Sequence, residues 1–243
     1  MPSQQSTSRL MGAMLLLHLT AGLILPFVLL RPLVSAQNFL LEGATISGQV
    51  TTAVLMLFVG SALPTAISCI ALRPFRVYNS AAAYWLLALA VASFVLQAAD
   101  NAHLLSMVTL SKAYAGAGAA NTQAFQAAGV AVGALRKWSH YSFLLAVGCW
   151  ILLFYGFLYR FRLVPRWLAA FGLVGAAGQI AGVTLRGFLG YPPESRLAMP
   201  LAPAYVALAL WLIAKGLDLR HHATDLQPSP DATALGASSD RPL

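Results

Sequence analysis

Apolar residues run along this chain in long, nearly unbroken blocks, without the alternation of a half-buried strand or the single stripe of a soluble helix. Six blocks have the roughly twenty residues that a helix needs to cross a bilayer: about 10–33, 47–72, 81–104, 138–161, 167–189 and 197–217. Hydrocarbon offers backbone groups no partner, so only helices or closed barrels span it, and runs this long exclude a barrel. Proline lacks an amide donor and restrains its predecessor, so Arg31-Pro32, Arg73-Pro74, Pro165-Arg166 and Pro192-Pro193 read as breaks. Pro26, Pro64, Pro200 and Pro203 are expected to kink three of the spans.

The remaining segments do not read as spans. Residues 111–137 are rich in Ala and Gly, with Phe125, Ala128, Val132 and Leu135 at helical spacing, which predicts an extra interfacial or re-entrant helix between spans three and four. From His221 the chain turns polar, and 221–243 is expected to be a disordered tail in which His221-His222 is incidental. The resulting expectation is all-α: one transmembrane domain over 1–220, an integral membrane six-helix bundle. Val34-Ser35-Ala36 before Gln37 resembles a signal-peptide cleavage site, but the block is longer than a usual signal core and carries only Arg9 ahead of it. An uncleaved first span is the expectation.

Composition agrees with the pattern. Hydrophobic residues make up 59% and charged ones 9%, against roughly 25% charged in soluble domains. The net charge of +8 comes from fifteen Lys and Arg scattered at block ends, which suits lipid head groups and topology and argues against nucleic acid. Arg9, Arg73, Arg76, Arg160, Arg162, Arg166, Lys215 and Arg220 fall on one side, so both termini are expected in the cytoplasm. Arg31, Lys112, Arg136, Lys137 and Arg196 fall on the other. Cys69 and Cys149 sit inside apolar stretches and read as small buried hydrophobes.

Candidate chemistry concentrates in LQAADNAHLL, residues 96–105. Helical geometry puts Gln97, Asp100 and Asn101 on one face, with His103 beside Asp100. Arg136 and His140 open the fourth span at i, i+4, and Arg186 lies near the outer end of the fifth. A charge at a helix centre costs about 2.5–3.5 kcal/mol on insertion scales, so Asp100 should find Arg136 or Arg186. One outer-leaflet cluster is expected: Gln97, Asp100, Asn101, His103, Arg136, His140 and Arg186. Either these groups only satisfy one another, or with Lys137 they form a pocket for an anionic lipid, a small amphiphile or a membrane-protein partner.

Other chemistries find less support. Asp100, His103 and His140 are possible zinc ligands, but no HExxH pattern accompanies them. His18, His103 and His140 raise haem, yet His18 lies deeper than the others, and a histidine bonded to a backbone carbonyl is the plainer state. No GxSxG occurs, and Gly116-Ala117-Gly118 has no strand–helix phosphate cradle around it. No cofactor is expected. A non-enzymatic binding module is the first reading; an enzyme using Asp100, His103 and His140, with or without metal, is the alternative. Gly172, Gly175, Gly178 and Gly182 are read as a close-packing stripe.

Several stretches also carry a resemblance: LSKAYAGAG (110–118), LRKWSH (135–140), LVPRWLAAFGLVGA (163–176) and ALWLIAKGL (209–217). Together they resemble the domain of unknown function 4386 family of small bacterial membrane proteins, over most of the chain. The resemblance implies a bacterial inner-membrane location and supplies no activity. It also implies an Arg–Glu pair early in the third span and a Glu early in the sixth, whereas here the third opens AAAYWLLALA and Tyr205 stands near the sixth-span position.

Overall fold

The apolar blocks fold as helices, and the described residues contain no strand. The computed structural model describes residues 4–34, 38–117, 121–192, 197 and 199–219. Among the described residues, eight α-helices follow in order: α1 (Gln4–Ile24), α2 (Arg31–Val34), α3 (Phe39–Glu42), α4 (Ser47–Tyr78), α5 (Ser80–Ala117), α6 (Thr122–Arg160), α7 (Arg166–Gly187) and α8 (Leu201–Ala214). Five helical segments are long and apolar enough to cross a membrane, and α8 is a shorter apolar helix. The tail from His221 and the cleavage-like Ser35–Gln37 lie outside the described residues.

Two expectations are corrected: Cys69 and Cys149, read as buried, lie exposed on their helices, and one of the proline breaks is not a break. Arg73-Pro74 does not end its helix; α4 continues through Pro64 and Pro74 to Tyr78. The turn comes at Asn79, whose extended backbone closes α4 and whose Oδ1 accepts from the Ala82 amide, 2.9 Å away, to start α5. Pro26 does disrupt its span: α1 widens into a π-helical turn over Leu25–Leu29.

Among the described residues, no separate interfacial helix stands between α5 and α6. Residues assigned to it belong instead to the ends of α5 and α6, which have 38 and 39 residues. At 1.5 Å per residue each is about 57 Å long, nearly twice the roughly 30 Å hydrocarbon core. The helical stripe that suggested an interfacial element faces protein only in part: Phe125 meets Tyr114 with ring centroids 5.7 Å apart and Val132 packs on buried core residues, whereas Leu135 is exposed. Ser111 ties this hairpin to α3, its Oγ donating to Leu40 O at 2.8 Å and accepting from Ala44 N at 2.7 Å.

The arginine-rich ends of the helices gather at one end of the bundle. Arg9 Nε donates to Ile213 O at 3.2 Å, Asp218 N donates to Leu163 O at 2.9 Å, and Tyr78 packs on Phe161. Arg76 lies over the Tyr84 ring and Arg166 over the Tyr159 ring, the cation-and-aromatic girdle expected at a lipid–water boundary.

The larger core cluster joins α1, α4, α5, α6, α7 and α8 around Trp150, Phe154, Tyr155 and Phe75. Small residues allow the close approaches. A Cβ on Gly172 would lie 2.0 Å from the Tyr155 ring, and one on Gly175 would lie 2.8 Å from Leu201 Cα. The Gly172–Gly175–Gly178 stripe is therefore internal packing. Pro64 gives up an amide, which frees the carbonyl four residues earlier, at Gly60. His18 Nδ1 lies 3.2 Å from that oxygen and donates to it. Replacing His18 with Ala should strand this carbonyl and lower stability by about 1–3 kcal/mol in thermal unfolding of detergent-solubilised protein.

Candidate functional site

Asp100 is the best-connected buried ionisable group of the bundle, with 2% of its side chain exposed. The i, i+4 positions 136 and 140 share a face of α6, and that face packs on the Asp100 face of α5. Asp100 Oδ1 lies 3.4 Å from Arg136 Nε, and Asp100 Oδ2 lies 3.1 Å from His140 Nδ1. Ser139 completes the group. Its Oγ lies 3.3 Å from Asp100 Oδ1, 3.0 Å from Arg136 O and 3.0 Å from His103 Nδ1.

Donor counting fixes both imidazoles. A hydroxyl owns one proton, which Ser139 directs toward Asp100 and the Arg136 carbonyl, so His103 Nδ1 is the donor to Ser139. A carboxylate only accepts, so His140 also donates from Nδ1. Neither Nε2 has a hydrogen bond among the described residues.

The site departs from a fully satisfied ion pair. Arg136 Nε is close enough to attract Asp100 but is not aligned as a hydrogen bond, and it is buried without a bonded partner. On the neighbouring face Gln97 Nε2 donates to Asn101 Oδ1 at 2.9 Å, while Asn101 Nδ2 is buried and unbonded. Both orphaned atoms are donors, so what they lack is an acceptor.

Four of the expected residues thus come together on α5 and α6, namely Asp100, His103, Arg136 and His140, while Gln97 and Asn101 pair with each other on α5. Arg186 does not join them. It sits exposed on the last turn of α7, with no ion pair among the described residues. Lys137 points elsewhere as well, 5.3 Å over the Trp138 ring. Ser139 was missed by the sequence reading, although it stands three residues after Arg136 on the same helical face.

No group of three His, Cys, Asp or Glu side chains disposed to hold a metal occurs among the described residues. His18 bonds to the Gly60 carbonyl, the plainer state expected of it. Its ring stands 6.1 Å from that of Tyr205, which in turn meets Tyr155 at 6.2 Å. The position where relatives are expected to carry a Glu is therefore buried in the core beside His18.

No curated protein and no solved structure matches the chain. The sequence model of the family described as domain of unknown function (DUF4386) matches residues 10–216, most of the chain. With its helices, their apolar lengths and this match together, the protein is an integral membrane protein and belongs to the DUF4386 family.

Proposed function

We propose that this protein is a non-enzymatic membrane module whose outer-leaflet cluster holds an acceptor-bearing amphiphile, such as an anionic lipid or a small acid with an apolar tail. The observation that carries this reading is a buried, unbonded donor, Arg136 Nε, at a carboxylate already engaged by Ser139 and His140, with a second such donor, Asn101 Nδ2, on the residue after Asp100. A buried donor without a partner costs about 1–3 kcal/mol, which an acceptor oxygen from a ligand would recover.

The membrane placement belongs to the same proposal. The α8 helix is read as a sixth, short span of about 21 Å, since it packs between α1 and α7 and continues the antiparallel order. The arginine-rich end is read as cytoplasmic, with both termini there, in a bacterial inner membrane. Counting about twenty residues outward from Arg160 brings α6 to its polar group, so Ser139 and His140 stand at the outer boundary with Trp138.

Native mass spectrometry of gently extracted wild type and Arg136→Met protein tests the reading. The wild type should retain more of a phosphate- or carboxylate-bearing amphiphile than Arg136→Met does. Equal retention with only lowered thermal stability would reduce the cluster to a structural tie between α5 and α6.

One observation favours a second reading. Asp100 orients His140 through Nδ1 and leaves its Nε2 without a protein partner, the arrangement of a carboxylate-supported general base. A membrane-embedded acid/base enzyme would lose turnover in His140→Ala while keeping its bound amphiphile.

A further inference from the structure

A cleft of about 740 Å3 opens at the arginine-rich end of the bundle, opposite the outer cluster. Its walls come from the start of α1, the α6–α7 turn and the chain after α8, and include Ser8, Arg162, Arg166, Trp211, Lys215 and Asp218. The volume lies within the range of small-ligand sites, and three of these six side chains are cationic. Arg162, Arg166 and Lys215 are exposed, and none forms an ion pair among the described residues.

Backbone geometry builds the cleft. Gly216 ends α8 at φ +81°, a left-handed conformation that suits glycine, and a Cβ there would already touch Ser8 at 3.4 Å. The chain then folds back, with Leu217 N donating to Ser8 Oγ at 3.2 Å and Asp218 N donating to Leu163 O at 2.9 Å. That return sets Lys215 and Asp218 at the same cleft as Arg162 and Arg166.

Arg162 is the telling residue. The α6 helix ends with Leu163 N donating to Leu158 O at 3.1 Å and Arg162 N to Tyr159 O at 3.4 Å. This is the helix ending in which the left-handed residue is usually glycine. Here it is an arginine at φ +55°. An arginine held in a conformation that favours glycine, on the wall of a basic cleft, points to use of its charge. Beside it α7 begins at Arg166, after Pro165 and without a side-chain cap, which adds the positive end of a helix dipole to the cleft wall.

We propose that this cleft binds a phosphate group, with Arg162, Arg166 and Lys215 as its ligands. The site is separate from the outer cluster and does not depend on it. A phosphate there would come from the head group of an anionic phospholipid or from a soluble phosphate compound, and the two are told apart by competition.

The test uses full-length protein in native mass spectrometry, with phosphatidylglycerol, phosphatidylcholine and inorganic phosphate as probes. Wild type should retain phosphatidylglycerol in preference to phosphatidylcholine. Arg162→Gly and Lys215→Gln should each weaken that retention about tenfold, the loss of one charge-assisted contact. Lys112→Gln, a cation on the opposite hairpin, should leave it unchanged. Arg162→Gly removes the charge while suiting the left-handed backbone, so its thermal stability should not fall below wild type, separating lost binding from lost fold. If inorganic phosphate binds in an Arg162-dependent way and no lipid preference appears, the site stands and its source is soluble. Equal retention of both lipids by wild type and Arg162→Gly, with no Arg162-dependent phosphate binding, would overturn the proposal.

Discussion

Asp100→Ala is expected to destabilise the protein by about 3 kcal/mol, the largest loss of any single substitution in the outer cluster. Removing one partner of a buried pair leaves the other charge uncompensated, and such changes cost about 3–5 kcal/mol. The lower figure applies because the Arg136 side chain keeps 13% exposure. His140 and Ser139 lose their acceptor at the same time. Asp100→Asn should lose less, since an amide oxygen still accepts from His140 and only the charge attraction goes. Thermal unfolding in one fixed detergent, followed by circular dichroism, measures both. Asp100→Ala and Asp100→Asn variants as stable as wild type would show that the carboxylate holds nothing together.

Gly172→Ala should be nearly as damaging, through sterics alone. The added carbon would fall 2.0 Å from Tyr155 Cε1 and within 2.4 Å of three ring atoms, far inside contact distance. Tyr155 is 1% exposed and hemmed by Phe154 and Tyr205, so the ring has little room to withdraw. Overpacking of a tight core costs about 1–3 kcal/mol and at times more, and this overlap belongs at the upper end. Trimming the obstacle should restore stability: Gly172→Ala/Tyr155→Ala should lose less than the sum of its two single variants. Strict additivity would mean that α6 and α7 are not in contact at this point.

Much of the membrane class was legible because hydrocarbon solvation acts on every residue in the same way. Long apolar blocks, few charges and terminal arginines need no knowledge of packing. Asp100 with Arg136 and His140 was legible for a related reason, since charges at one depth seek each other and i, i+4 spacing fixes one face of α6. Arg186 was not legible. Depth alone put it with the others, but whether a residue near a helix end turns inward depends on how α7 is rotated, and packing decides that. Ser139 was hidden by its chemistry: a serine in an apolar helix most often bonds its own backbone, as this one does in part.

The α5–α6 hairpin shows a second limit. Alanine and glycine at 111–137 read as a separate element because the apolar signal weakens once the helix leaves the bilayer. The helices nevertheless continue, since α3 and the smaller core cluster of Leu30, Leu33, Val50, Val54, Leu104 and Val108 give the extension protein to pack on. Pro74 was misleading for the opposite reason. A helix tolerates proline where its neighbours can take up the freed carbonyl, so the residue type alone does not mark the end.

The shared carboxylate between α5 and α6 is what the outer-cluster account rests on, and a double-mutant cycle on Asp100→Asn and Arg136→Gln reads it most directly. Residues in one ion-pair network couple by about 0.5–3 kcal/mol, and burial of this pair predicts a value above about 1 kcal/mol. Additive losses, with a coupling indistinguishable from zero, would contradict the account.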